Sequence, residues 1–399
     1  MKATSTEIGS GDRPYIGITC VRVIGPVANP TTADAIRGRL SAALRAPNGA
    51  GWRVRLSAGH THWDTFTEEE VEDFVAGSVI EVECGPAEMV SLMASDPLGD
   101  VAYRFVLSGD YLGVLYSHAL GDLGMSGPLL ELALTDTIAI PEAPRLARSP
   151  LLRILPRSGV AKLWRSIPTL LEYRNSRSPV FDSLPLLTPN STQVTALRWG
   201  QAESERWKKE ADQLGVSWTT HVTCQLIDAI QTWLPVGTPV MLPIDSRRYM
   251  RNSSRVRGNY SFALRLGTVG VDAFEAGDLQ AQVRRYLGAG LPALMQAVHA
   301  FLNRKPVPVA DRTAAHATAS VTTSVIRRTD LLHLLDTRDG CDPVDLITRG
   351  SHPPTGLLVY VVGVQNSVTA LFLDHTNVFH RKMLLKALSM NMPGAEVLA

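Results

Sequence analysis

The stretch Tyr111–Gly127, which reads YLGVLYSHALGDLGMSG, constrains the fold of this chain more than any other part of its sequence. It opens with the apolar run Tyr111–Tyr116, whose aromatic and β-branched residues are typical of a mostly buried strand. Ser117 and His118 end that run. A glycine-rich turn follows, and Ser126 then begins an apolar segment with a proline in its first turn, which is typical of a helix. The sequence therefore predicts a strand, a tight turn and a helix, with a histidine at the end of the strand.

His118 is followed four residues later by a carboxylate, Asp122. An imidazole aimed into a cleft can act as a general base on a hydroxyl or an amine, which suits acyl transfer. The carboxylate can fold back and fix the turn without touching a substrate. A second H-x-x-x-D pattern, His60–Asp64, lies in a polar loop with no strand before it and no helix close behind. We interpret that second pattern as structural or incidental.

The segment SHALGDLG resembles the HHxxxDG motif of the chloramphenicol-acetyltransferase-like superfamily. That superfamily includes peptide-synthetase condensation domains, polyketide-associated acyltransferases and plant CoA-dependent acyltransferases. Two positions depart from the motif: Ser117 stands where condensation domains carry a first histidine, and Leu123 stands at the motif glycine, with Gly124 one place later. The resemblance implies an α/β fold of two similar lobes with mixed sheets and an active-site channel between them. It also implies that His118 is the catalytic base.

A second segment, PIDSRR followed by RGNYSF, is similar to an Asp-x-Arg and Gly-Asn pattern in acyltransferases of this superfamily. Here the pattern falls on Asp245, Arg247 and the pair Gly258–Asn259. The resemblance implies that Arg247 forms an ion pair with Asp122, with Arg248 as the second choice. Taken alone, the same arginines also fit a solvated basic loop.

The resemblance further implies an acyl thioester on a pantetheine arm as the donor. We expect this arm to pass the turn after the motif, where small residues leave room and a helix start offers backbone N–H groups. The strand that begins at Asn259 is expected to form the opposite wall. The expected catalytic residues are His118, Asp122 and Arg247, and the expected substrate-binding residues are Ser117, Gly124, Ser126, Gly127, Asn259, Tyr260 and Ser261.

The chain is long enough for two α/β units. A predicted strand at Tyr15–Ile24 opens the first unit, and one at Gln193–Trp199 opens the second. A proline-rich stretch with one helix near residues 159–174 separates them. We therefore expect an N-terminal lobe at 1–140, a crossover linker at 141–191 and a C-terminal lobe at 192–399.

Two further elements are predicted from local pattern. Val101–Leu107 and Tyr111–Tyr116 flank Ser-Gly-Asp, which predicts a hairpin whose second arm leads to His118. Asp272–Asn303 is predicted as one long helical region around Gly288 and Gly290.

Composition narrows the function classes. Hydrophobic residues make up 45% of the 399 residues and the net charge is +1, so no broad attraction to nucleic acid is expected. No run of 18 apolar residues occurs and the N-terminus is polar, so we expect neither a membrane span nor a signal peptide.

The four cysteines have no C-x-x-C spacing, which favours free thiols in the cytoplasm. The pairs His60/His62 and His375/His380 lack a third ligand at a known spacing, so no metal is expected.

Two function classes remain open. The first is an acyltransferase or free-standing condensation enzyme of natural-product or lipid biosynthesis. It would join a thioester on CoA or on a carrier protein to an amine or hydroxyl acceptor, with no tightly bound cofactor. The second is a catalytically degenerate, condensation-like domain that binds a carrier protein or a partner enzyme. The departures at Ser117 and Leu123 favour the second class, whereas His118, Asp122 and Arg247 favour the first.

Overall fold

The structure is a computed structural model. The residues that it describes are 5–9, 12–29, 31–47, 49–57, 62–96, 98–135, 167–171, 173, 193–234, 237–249, 259–270, 272, 274–302, 320–338, 340–349, 356–374 and 381–398. The expected linker at 141–191 lies almost wholly outside these ranges, apart from a short helical piece at 167–171. The expected boundaries near 140 and 191 therefore stay predictions.

The described strands and helices alternate along both halves of the chain. The strands are β1 (Ser5–Glu7), β2 (Thr19–Gly25), β3 (Val54–Leu56), β4 (His62–Thr65), β5 (Val79–Glu81), β6 (Tyr103–Ser108), β7 (Tyr111–Ser117), β8 (Gln193–Trp199), β9 (Pro239–Asp245), β10 (Ser261–Thr268), β11 (Ser320–Ile326), β12 (Val344–Arg349), β13 (Gly356–Val364), β14 (Ser367–Asp374) and β15 (Ala395–Leu398). The helices are α1 (Ala33–Arg45), α2 (Val71–Ser78), α3 (Pro86–Ser95), α4 (Ser126–Leu134), α5 (Gln201–Gln213), α6 (Trp218–Gln231), α7 (Ala276–Gly288), α8 (Leu291–Leu302) and α9 (Arg381–Asn391).

The N-terminal lobe is built on a sheet with the strand order β12-β2-β7-β6-β5. Its pairs are antiparallel except for β5 and β6, which are parallel. Helices α1, α2 and α4 contribute buried side chains to a core with one face of this sheet. Helix α3 packs on the other face, where its core also includes residues of β8 and β14. A small sheet of β1, β4 and β3 lies beside these elements.

The C-terminal lobe is built on a sheet with the strand order β10-β9-β11-β13-β14-β8-β15. Strands β9, β11 and β13 are parallel to one another, and the other pairs are antiparallel. A separate core between this sheet and its helices contains the buried aromatic side chains of Trp199, Trp207 and Phe372. Two mixed sheets, each with its own core, confirm the two-lobed α/β fold expected from the sequence.

Helix α1 shows how local sequence sets an element. Thr32 lies at its N-cap, where the side-chain oxygen accepts a hydrogen bond from Ala35 N at 3.2 Å. Ile36 and Leu40, one turn apart, belong to the buried face of the helix. Pro47 follows the last turn and stops the helix, because proline cannot continue it.

The predicted hairpin is present. Strands β6 and β7 pair antiparallel from Ser108 opposite Tyr111 to Tyr103 opposite Tyr116. Gly109 lies in the connecting turn with φ 55°, a left-handed conformation that glycine adopts at little cost.

The structure adds two features to what the sequence predicted for the second half of the chain. The long helical region at Asp272–Asn303 is two helices, α7 and α8, because Gly290 has φ 69° and ends the first helical path. Strand β12 was not predicted. It leaves the C-terminal half of the chain and pairs with β2 at the edge of the N-terminal sheet. No helix in the described part of the chain is long and apolar enough to cross a membrane.

A buried ionic cluster attaches β12 to the N-terminal lobe. The guanidinium of Arg22 on β2 donates to both carboxylate oxygens of Asp345 on β12, at 2.9 and 2.6 Å. It also donates to the hydroxyls of Ser126 and Thr329, each at 3.1 Å. The side chain of Arg22 is 4% exposed and that of Asp345 is fully buried. A second carboxylate, Asp330, accepts at 2.7 Å but is 70% exposed.

We predict that Asp345→Asn lowers the free energy of unfolding by about 3–5 kcal/mol, because it leaves the buried guanidinium of Arg22 without its buried counter-ion. Asp330→Asn is the matched control, since it removes an exposed carboxylate from the same arginine and should cost about 1 kcal/mol or less. Urea unfolding followed by tryptophan fluorescence measures both variants. Equal losses in the two variants would contradict the role assigned to the buried pair.

Candidate active site

The imidazole of His118 lies where β7 leaves the sheet. The last described pair between β2 and β7 joins Thr19 to Ser117, and the next amide, His118 N, donates to the carbonyl of Ile18 at 2.8 Å. His118 is 8% exposed. The strand end therefore fixes the backbone of His118 before the turn begins, as the sequence pattern predicted.

The turn after His118 is closed by Asp122. Its carboxylate oxygen Oδ1 accepts a hydrogen bond from Gly124 N at 3.1 Å, and its backbone carbonyl accepts from the hydroxyl of Tyr116 at 2.8 Å. Leu123 and Gly124 then form a short 3₁₀ turn that leads into α4. Asp122 therefore caps this turn by accepting a hydrogen bond from the backbone amide of Gly124, which lies one place after the position of the motif glycine.

Asp122 and Arg247 are brought together as the sequence predicted. Arg247 Nη2 donates to Asp122 Oδ1 at 2.6 Å, and Tyr260 N donates to Asp122 Oδ2 at 3.2 Å. Both charged side chains are largely buried: that of Arg247 is 12% exposed and that of Asp122 is 6% exposed. Arg247 also binds the exposed carboxylate of Asp245 at 3.1 Å and lies over the Tyr260 ring, 5.1 Å from its centre. Since both oxygens of Asp122 are engaged, this carboxylate holds the two lobes in register.

Asn259 forms a second link between the lobes. Its Nδ2 donates to the carbonyl of His118 at 2.7 Å and to Asp12 Oδ1 at 2.8 Å. Its backbone N also donates to Asp12, at 3.1 Å, and its carbonyl accepts from Gln296 at 2.5 Å. Burial raises the pKa of the Asp12 carboxyl to about 6, against the lowering effect of its hydrogen bonds from Asn259. Asn259, expected to bind substrate, is thus placed against the backbone of His118.

The ring of His118 stacks on Tyr15, with 4.3 Å between ring centres and 21° between planes. The hydroxyl of Tyr15 donates to the carbonyl of Ser261 at 3.3 Å, so this aromatic residue also bridges the lobes. In the described part of the chain, Nδ1 of His118 is buried and has no hydrogen-bond partner.

Burial and, to a smaller extent, the positive charge of Arg349 lower the pKa of His118 to about 4. The residue's own carbonyl, Asp122 and Asn259 act in the opposite direction but do not reverse the shift. The imidazole is therefore neutral at neutral pH, which is the state that accepts a proton.

A cavity of about 700 Å³ begins at the turn after His118 and extends into the C-terminal lobe. Gly124, Met125 and Pro128 form its wall on the N-terminal side. The opposite side consists of hydroxyl, apolar and charged residues from α6 and its N-cap, α7, β9, the residues after β9 and β11; they include Ser217, Thr220, Leu242, Ile244, Asp245, Arg247, Arg248, Val283, Leu287 and Ser324.

The remaining expected site residues fall into two groups. Ser117, Ser126 and Gly127 are buried around the turn: the hydroxyl of Ser126 donates to Leu123 O at 2.7 Å, and a Cβ on Gly127 would lie 3.4 Å from Asp330. Tyr260 and Ser261 contribute backbone contacts to Asp122 and Tyr15. Other residues considered in the sequence analysis lie outside the described ranges, namely His60, Gly258, His375 and His380.

Sequence reasoning missed three residues near the imidazole: Asp12, Tyr15 and Arg349. Each comes from a segment with no motif, and only the fold brings them to His118. No group of three or more side chains able to hold a metal ion occurs among the described residues.

Solved structures similar to this one are acyltransferases and peptide-synthetase condensation domains. TRI3 trichothecene 15-O-acetyltransferase from Fusarium sporotrichioides matches with a TM-score of 0.63 and 12% identity, over 98% of this chain and 94% of that one. TRI101 from F. sporotrichioides, solved with coenzyme A and T-2, matches with a TM-score of 0.61 and 14% identity, over 99% of both chains. The first condensation domain of the CDA synthetase matches with a TM-score of 0.56 and 14% identity, also over 99% of both.

This chain has the chloramphenicol-acetyltransferase-like fold. The resemblance seen in the two sequence segments is thereby confirmed at the level of the fold, over nearly the whole chain. No protein-family model and no curated protein sequence matches the chain.

We predict that His118 in this fold titrates near pH 4, because the protonated ring is disfavoured by burial and by Arg349. Between about pH 4 and 6.5 the unfolded chain then binds more protons at this residue than the folded chain. The free energy of unfolding therefore decreases, through His118, as the pH falls from about 6.5 to about 4. NMR titration of the imidazole signals measures the pKa, with the signal assigned by its absence in His118→Gln. Titration near 6.5 would contradict the prediction.

We predict that Asp122→Asn lowers the free energy of unfolding by about 3–5 kcal/mol, because Arg247 loses its buried counter-ion. Arg247→Met in the Asp122→Asn background should recover part of that loss, since neither buried charge remains. A double-mutant cycle by urea unfolding measures the coupling between the two residues. Additive losses would show that the pair does not link the lobes.

Proposed function

We propose that this chain is an acyltransferase or condensation-type enzyme. It moves an acyl group from a pantetheine thioester, on CoA or on a carrier protein, to an amine or hydroxyl acceptor. His118 serves as the general base. The observation that carries this proposal is a buried imidazole whose backbone is held by both lobes, followed by a turn whose residues Gly124 and Met125 line a large cavity.

The chemistry follows from the placement of the groups. A neutral imidazole accepts the proton of the acceptor as its oxygen or nitrogen attacks the thioester carbonyl. The carbonyl–sulfur bond then breaks, and the thiol leaves with a proton from the imidazolium. Ile18 and Asn259 hold the backbone of His118 from opposite lobes, so the ring is fixed relative to both substrates.

We assign the thioester arm to the cavity at the turn after His118. Its wall at Gly124 and Met125 is the turn along which the sequence predicted such an arm. Arg248 is exposed at the same cavity and supplies a positive charge. A guanidinium suits either the phosphates of CoA or the acidic face of a carrier protein. TRI101, with the same fold, has been solved with coenzyme A, which favours a CoA donor.

We predict that His118→Ala lowers acyl transfer by about 10²- to 10⁴-fold, because the reaction loses its base. The assay supplies a series of acyl-CoA thioesters and an acyl-loaded carrier protein, with pools of amines and alcohols as acceptors. It follows thiol release together with the mass of the acylated product. Circular dichroism checks that the variant is folded.

His333→Ala is the matched control, since His333 is a largely exposed histidine whose side chain lies near Glu131. It should transfer acyl groups at the rate of the original protein. Unchanged turnover in His118→Ala would overturn the assignment of the base. Tight carrier-protein binding without transfer in the original protein would favour the degenerate binding domain instead.

A further inference from the structure

Arg349 is the last residue of β12, and its position in the sheet places it on the side of the active site. It pairs with Cys20 on β2, and Cys20 pairs in turn with Tyr116 on β7. Residues directly opposite one another in neighbouring strands project from the same face. The hydroxyl of Tyr116 binds the carbonyl of Asp122, so this face is the one that carries the turn after His118.

The positive charge of Arg349 acts on the pKa values of nearby groups, and none of these groups is an acid that would neutralise it at neutral pH. It favours lower pKa values for the phenols of Tyr15 and Tyr360, the thiol of Cys20 and the imidazole of His118. Its Nε is buried and has no hydrogen-bond partner among the residues that the structure describes. Arg349 is itself half-buried. A half-buried guanidinium beside the base thus has no counter-ion in the described site.

Two other arginines near the site show the contrast. Arg22 is paired with Asp345, and Arg247 is paired with Asp122. Leaving a partly buried charge unpaired is unfavourable. The unpaired charge of Arg349 also opposes the proposed reaction, because a cation near His118 disfavours the imidazolium that forms when the ring accepts a proton. Both effects are relieved when an anion binds Arg349.

We propose that Arg349 binds a carboxylate of the acceptor substrate, so that the enzyme acylates amino or hydroxy acids in preference to their neutral counterparts. This inference rests on the proposed acyl transfer. Neither Arg349 nor His118 lines the cavity assigned to the thioester arm, so we assign the anion at Arg349 to the acceptor, which meets the imidazole from outside that cavity. A guanidinium fork matches the two oxygens of a carboxylate, and one positive charge balances one negative charge.

The test compares matched acceptors in the transfer assay: amino and hydroxy carboxylic acids, each against its primary amide. The original protein should prefer the acids in kcat/KM. Arg349→Gln should reduce that preference by about 10- to 100-fold, because it removes a hydrogen bond to a charged group. Arg349→Lys should keep part of the preference, since the charge remains while the fork is lost. Arg45→Gln on α1, an exposed arginine paired with Glu72, makes the same change in net charge and should leave the preference intact.

A second measurement needs no acyl transfer. Benzoate and benzamide are added to the protein while the NMR signals of His118 are followed. Benzoate should shift those signals in the original protein, and Arg349→Gln should abolish that response. Benzamide should shift them less than benzoate.

The outcomes separate the two proposals. Failure of the original protein to transfer an acyl group to any acceptor would count against the proposed function, while the benzoate titration still decides on Arg349. An unchanged preference for acids in Arg349→Gln would overturn the carboxylate site. So would an equal fall in kcat for acids and amides, which would assign the guanidinium to the developing oxyanion.

Discussion

The ion pair between Asp122 and Arg247 is the contact on which the arrangement of the site depends. The carboxylate of Asp122 accepts a hydrogen bond from the amide of Gly124 in the N-terminal lobe. It also accepts hydrogen bonds from the guanidinium of Arg247 and the amide of Tyr260 in the C-terminal lobe. Local turn geometry and the relative placement of the lobes are thus set by the same two oxygen atoms. A shift of either lobe would leave a buried charge without its partner, so the site has one stable geometry.

The protonation state of His118 depends on all of its surroundings. Burial and the charge of Arg349 favour the neutral ring, whereas the backbone carbonyl of His118, Asp122 and Asn259 favour the protonated one. Because Asp122 is already neutralised by Arg247, its effect on the imidazole is weakened. In the proposed reaction, the ion pair therefore has an indirect role: it keeps a nearby carboxylate from holding His118 in its charged form.

How well each part could be predicted depended on how far apart in sequence its determinants lie. The strand, turn and helix around His118 are coded within one short stretch, and the hairpin that carries them needs only its own turn residues. The pairing of Asp122 with Arg247 was accessible because both residues lie in recognisable segments. Strand β12 was missed, because it has six residues and its partner β2 lies more than 300 residues away in the chain. Tyr15 and Arg349 had no local signal, because only the completed sheet brings them to the imidazole.

Strand β12 comes from the second half of the chain but pairs within the N-terminal sheet, and this crossover limits how the two lobes can move. Separating the lobes would require β12 to leave β2, which would break the hydrogen bonds from Val344 to Arg349 and the buried contacts of Arg22. Access to the site therefore depends on side-chain and loop adjustments rather than on separation of the two lobes. The same crossover means that the first half of the chain, produced alone, would expose β2 as a bare sheet edge and invite aggregation.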